Sequence, residues 1–96
     1  MGVHPTGMYF MVIERFRGGD PMPVRDRFLE QGRLLPAGAT YHASWIDEAN
    51  SRCFQLMEAP DEGALQPWID RWSDLIDFDV FPVVEPAEYW ARIGGG

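Results

Sequence analysis

At 96 residues, with 46% hydrophobic and 24% charged positions, the chain reads as one small globular domain rather than a disordered segment. Its net charge of −7 repels phosphate backbones, so nucleic acid is not an expected partner. All eight basic residues are arginine, which removes the lysine that Schiff-base catalysis or a phosphate-binding P-loop would need.

Met1 to Gly7 has no periodicity and reads as a flexible leader. Tyr9 to Phe16 is a dense aromatic and β-branched run, predicted as a strand. It stays apolar on both faces until Glu14 and Arg15, which suits a central position in a sheet. The apolar run from Met8 to Ile13 is far too short to span a membrane, and no basic region with an apolar signal core precedes it. A soluble cytoplasmic protein with no membrane partner is therefore expected.

Gly18-Gly19-Asp20-Pro21 stops the strand, with Asp20 as N-cap and Pro21 in the first helical position. Val24, Phe28 and Leu29 form the predicted buried stripe of this helix, and Gly32 its C-cap. A Pro36-Ala37-Gly38 loop leads to a hairpin, Thr40 to Asp47 and Arg52 to Glu58, turning through Glu48 to Ser51. Asp61 opens a second helix whose apolar residues Leu65, Trp68, Ile69, Trp72, Leu75 and Ile76 keep helical spacing. Pro67 kinks that helix unless it begins only near Gln66. Phe78 to Val84 is the last strand, and Pro82 within it favours a sheet edge or a bulge. Pro86 to Ile93 is read as a short tail helix presenting Tyr89, Trp90 and Ile93, before the loose glycine end.

Strand-helix-strand-strand-helix-strand from Met8 to Glu85 predicts an α+β fold of the split βαβ kind, with residues 1–7 as leader and 86–96 as tail. Two helices cover one face of such an antiparallel sheet. The other face must meet a partner, a ligand or water.

The segments MYFMVIERF at 8–16, SWIDEANSRCFQLME at 44–58 and WIDRWSDLIDFDVFPVV at 68–84 resemble a family of short bacterial proteins known only as a domain of unknown function. That resemblance implies a ferredoxin-like fold, a dimeric α/β barrel and hence a homodimer. It implies no activity, so no catalytic residue follows from it.

The hairpin carries the candidate chemistry. A four-residue turn pairs Trp45 with Phe54 and Ser44 with Gln55. Tyr41, Ala43, Trp45, Phe54 and Leu56 are then expected under the helices. Thr40, His42, Ser44, Cys53, Gln55 and Met57 are expected on the open face, with Ile46 among its apolar members. His42 is a candidate proton acceptor or ligand donor there, against the plainer reading of a histidine held at a dimer interface. Cys53, the one cysteine, cannot form an intrachain disulfide and reads as an inert strand thiol. Glu14 and Glu58 sit on neighbouring strands and are candidates for a carboxylate pair, or for separate ion pairs with Arg15 and Arg52. Trp45, Trp68 and Trp72 could form an aromatic cage, but core is the expected role of all three. No metal-ligand spacing is present and no cofactor is called for.

The leading expectation is a homodimer that holds a small, partly apolar molecule between sheet and sheet, lined by His42, Ser44, Gln55 and Glu14. The alternative is an interaction or dimerisation module with no small ligand. Whether the chain is an enzyme stays open.

Overall fold

The computed structural model describes residues 7–49 and 51–94. The leader up to Thr6, Asn50 of the hairpin turn and the last two glycines lie outside the described residues. Strand β1 (Met8–Phe16) leads through a single 3₁₀ turn into helix α1 (Met22–Gln31). The hairpin β2 (Thr40–Asp47) and β3 (Arg52–Ala59) follows, then α2 (Gln66–Trp72), β4 (Ile76–Val83) and a third helix α3 (Pro86–Arg92). The four strands form one antiparallel sheet in the order β2-β3-β1-β4, compatible with the ferredoxin-like split βαβ arrangement. No helix among the described residues is long and apolar enough to cross a membrane.

Local chemistry sets the ends of the helices. Asp20 Oδ1 accepts the Met22 amide at 3.0 Å, and the Gly32 amide donates to the Phe28 carbonyl at 2.8 Å. Gly32 has φ 74°, a left-handed conformation that glycine adopts without strain. Asp61 caps not α2 itself but a preceding 3₁₀ turn, Glu62–Leu65, by accepting the Ala64 amide at 2.9 Å. Pro67 thus falls in the first turn of α2, where its missing N–H is not needed, and there is no kink. The Leu75 amide donates to the Trp72 carbonyl at 2.9 Å and closes α2 there. Ile76, expected on the helical stripe, instead opens β4 opposite Phe16. Pro82 sits on the edge strand β4, which pairs only with β1.

The core lies between the sheet and the second helical segment. Phe10 and Val12 of β1 and Met57 and Ala59 of β3 are buried under Leu65, Trp68 and Trp72. These alternate residues fix which side of the sheet the helices cover, and they correct the expected division of the hairpin. The pairings Ser44↔Gln55 and Trp45↔Phe54 are as predicted, but the faces are reversed. Cys53, Gln55 and Met57 are buried on the helix side, whereas Trp45 is 59% exposed and Phe54 and Leu56 do not join the core. A period of two separates a strand into two faces without saying which is inside. Both faces are rich in apolar residues here, so the aromatics gave the wrong sign.

A β-bulge between Tyr41 and Ala43 makes His42 the extra residue of β2. Tyr41 keeps the helix side, where it packs on the core, and hydrogen-bonds Ser44 Oγ through its hydroxyl at 2.7 Å. His42 turns the other way, toward Tyr9 and Glu58. His42 and Ser44 therefore do not share a face.

Helix α1 corrects a second expectation. None of its residues is buried: Val24 packs partly on the core, Phe28 is 41% exposed and Leu29 63%. Its apolar stripe faces the sheet across a gap rather than against it. Ion pairing anchors its middle, with Arg27 reaching both oxygens of Asp74 at 2.8 and 2.7 Å and the Arg71 carbonyl at 2.9 Å. Helix α3 buries no residue and leaves Tyr89, Trp90 and Ile93 about half exposed. The radius of gyration, 15.1 Å, shows the molecule to be extended. A compact chain of this length would have about 12.5 Å.

Candidate functional site

The gap beneath α1 is a cavity of about 600 Å³ between that helix, α2 and the helix-side face of the sheet. That volume lies within the ~300–1,000 Å³ of small-molecule sites. Its walls are mainly apolar: Phe16, Val24, Phe28, Trp68, Trp72 and Ile76. Ser44, Cys53, Gln55 and Glu14 rise from the sheet floor, and Arg33 enters from the loop after α1.

The polar cluster on this floor is buried. Glu14 is 6% exposed and Gln55 4%, and the Gln55 amide donates to Glu14 Oε2. Arg33 Nη1 donates to Gln55 Oε1 at 3.3 Å. The three side chains thus form one relay from charge to amide to carboxyl. Burial pushes the Glu14 carboxyl up to about 7, with the Arg33 charge and the Gln55 hydrogen bond opposing that shift. Burial, reinforced by Glu14, pushes the Cys53 thiol up to about 12, so this thiol is a poor nucleophile.

Arg33 is held by its neighbours rather than by a carboxylate. Its guanidinium lies 3.4 Å from the centre of the Tyr41 ring and 5.2 Å from that of Phe28. Its carbonyl accepts the Trp72 indole N–H at 2.9 Å. The next residue, Leu34, has φ 61°, strained for a side chain of this kind, and its carbonyl accepts from Arg71 at 2.7 Å. The loop is thus pinned on both sides of Arg33, which aims the guanidinium into the cavity.

Of the four residues singled out from the sequence, Glu14, Ser44 and Gln55 line this cavity and His42 does not. The cavity lies between sheet and helices, not on the open face where the hairpin pattern had put Ser44 and Gln55. His42 Nε2 is 2.8 Å from Glu58 Oε1 on the opposite face, and its ring lies 5.4 Å from that of Tyr9. Glu14 and Glu58 do not form a carboxylate pair. Antiparallel pairing sets Glu14 opposite Cys53 and Glu58 opposite Tyr9, at opposite ends of the ladder and on opposite faces.

Arg33 was missed. Its one sequence signal was its position just past the Gly32 cap, which fixes the direction of the chain but not that of the side chain. Among the described residues, six of the eight arginines have a carboxylate within salt-bridge distance, and Arg33 is not one of them.

The open face of the sheet is a second feature. Tyr9, Met11 and Ile13 of β1 alternate with the buried set, and Trp45, Phe54, Leu56 and Phe81 share their side. Charge flanks this apolar centre, with Arg15 paired to Asp79 and Arg52 to Asp47 toward one end and Glu58 paired to His42 toward the other.

The chain belongs to the family described as Domain of unknown function (DUF3303), whose model matches residues 8–95 and so includes α3. No curated protein matches the sequence.

Proposed function

We propose that this DUF3303 protein works as a homodimer joined through the open sheet faces, each copy holding a small, largely apolar molecule in the cavity behind its sheet. The observation that carries the binding half is the cavity itself, a mainly apolar cleft of about 600 Å³ with Glu14 and Gln55 buried on its floor. The dimer half rests on the apolar centre of the open face. Four strands spaced ~4.8 Å apart, with eight residues of ~3.3 Å each, present ~500 Å². About half of that area is apolar, and covering it contributes on the order of 6 kcal/mol per copy, ahead of the cost of association. His42 then stands at the seam between copies rather than in the binding site.

Leu56 lies at the middle of that face, opposite Met11 and Ala43. Leu56→Asp should convert a dimer into a monomer in sedimentation equilibrium at micromolar concentration. A wild-type protein already monomeric at that concentration would remove the dimer from this reading.

Val24 faces the cavity from α1, and Val24→Trp should fill it. Compounds found by thermal-shift screening should stabilise the wild type by ~2.7 kcal/mol at a hundred times their dissociation constant. The same compounds should have no effect on Val24→Trp. Equal stabilisation of both proteins would place the binding elsewhere and sink the cavity reading.

A further inference from the structure

We propose that the cavity selects an anionic amphiphile, a small molecule with an aromatic or branched apolar body and one carboxylate-like head, and that Arg33 receives the head. This rests on the cavity being a binding site and adds the chemistry of its occupant.

The geometry divides the cavity into two parts. Trp68, Trp72 and Val24 offer only apolar surface, apart from the Trp72 indole N–H already given to the Arg33 carbonyl. The hydrogen-bonded cluster of Arg33, Gln55 and Glu14 lies with Ser44 at the sheet floor, and Arg25, Glu48 and Ser51 also line the cavity. Arg33 is the donor-rich member. A guanidinium carries five N–H groups in a planar fork, and among the described residues only one hydrogen bond from that fork is made, Nη1 to Gln55. The rings of Tyr41 and Phe28 hold its plane without using those donors. What remains is an edge suited to two oxygens of one anion.

Glu14 is the competing anion. When ionised it offsets the Arg33 charge, and when protonated it leaves the guanidinium to the ligand. Around Glu14 stand Cys53 and Gln55 on β3, Phe78 on β4 and Arg33 from the loop, with Arg25 and Glu48 farther out on the cavity rim. Cys53 stays neutral, its thiol being pushed up to about 12. An incoming anion therefore favours the protonated carboxyl, and binding takes up a proton. With the Glu14 carboxyl at about 7, affinity for an anion falls as pH rises through that value. The loss should be about tenfold between pH 6 and pH 8, as the protonated fraction falls.

The test uses a matched fluorescent pair, anilinonaphthalene sulfonate and its neutral parent phenylnaphthylamine, which differ only in the anionic group. At pH 6 the wild type should bind the sulfonate at least tenfold more tightly. Arg33→Gln should bring the two probes to the same affinity, and Arg33→Lys should restore part of the preference. Glu14→Gln should remove the difference in sulfonate affinity between pH 6 and pH 8. Equal affinities in the wild type, or a preference that survives Arg33→Gln, would overturn the anion assignment. If Val24→Trp still blocks both probes, the cavity reading survives that loss. Probes that bind neither protein, or that bind Val24→Trp as well as the wild type, overturn the cavity reading and this inference together.

Discussion

Replacing Trp68 by alanine should lower the free energy of unfolding by ~3–5 kcal/mol, the cost of deleting a large buried aromatic. Trp68 is 2% exposed and meets Phe78 edge-on with ring centres 5.4 Å apart. Through that contact α2 is held to β4 at the sheet edge. Small domains have total stabilities of only ~5–15 kcal/mol, so much of the variant population would be unfolded at moderate temperature. Urea unfolding followed by circular dichroism gives the number. A midpoint unchanged from the wild type would mean that the indole is not part of the core.

The second large effect is a gain. Glu14 has its carboxyl raised from 4.5 to about 7 by burial. Below about pH 4.5 both folded and unfolded chains keep the proton, and Glu14 makes its full contribution to stability. As pH rises to about 7 the unfolded chain releases the proton first, and the folded state loses stability through that window. A shift of this size corresponds to ~3 kcal/mol, at 1.36 kcal/mol per pH unit. Glu14→Gln keeps the shape and removes the buried charge, so it should be more stable than the wild type at pH 8 by up to ~3 kcal/mol. Near pH 4.5 the two should be alike. Equal stabilities at both pH values would show that the Glu14 carboxyl is solvated in the folded protein.

Much of this architecture was legible because it depends on local chemistry. The strand run from Tyr9, the Asp20 and Gly32 signals of α1, the hairpin turn and the edge position of Pro82 are each set by a few neighbouring residues. The register Ser44↔Gln55 followed from the length of the turn. What the residues could not show is what depends on distance across the fold. Trp45, Phe54 and Leu56 look like core because large apolar groups usually are, yet Cys53, Gln55 and Met57 took the inside. The reversal turns on Gln55 meeting Glu14 and Arg33, partners 41 and 22 residues away. The bulge at His42 moved that ring to the opposite face from Ser44, and no turn or proline marks it. The cavity itself exists because α1 stands off the sheet. Arg27 and Asp74 tie α1 to the segment after α2, and in the sequence they read as ordinary surface charge.

The four tryptophans report separately on the regions that matter here. Trp68 and Trp72 line the cavity, Trp45 lies on the open face and Trp90 on α3. Each contributes one indole N–H signal to a proton–nitrogen correlation spectrum, assigned by four single Trp→Phe variants. Titrating the protein with anilinonaphthalene sulfonate at pH 6 should shift the Trp68 and Trp72 signals together, while those of Trp45 and Trp90 hold their positions. Movement of Trp45 with Trp68 and Trp72 unmoved would put the ligand on the open sheet face and contradict the site described between sheet and helices.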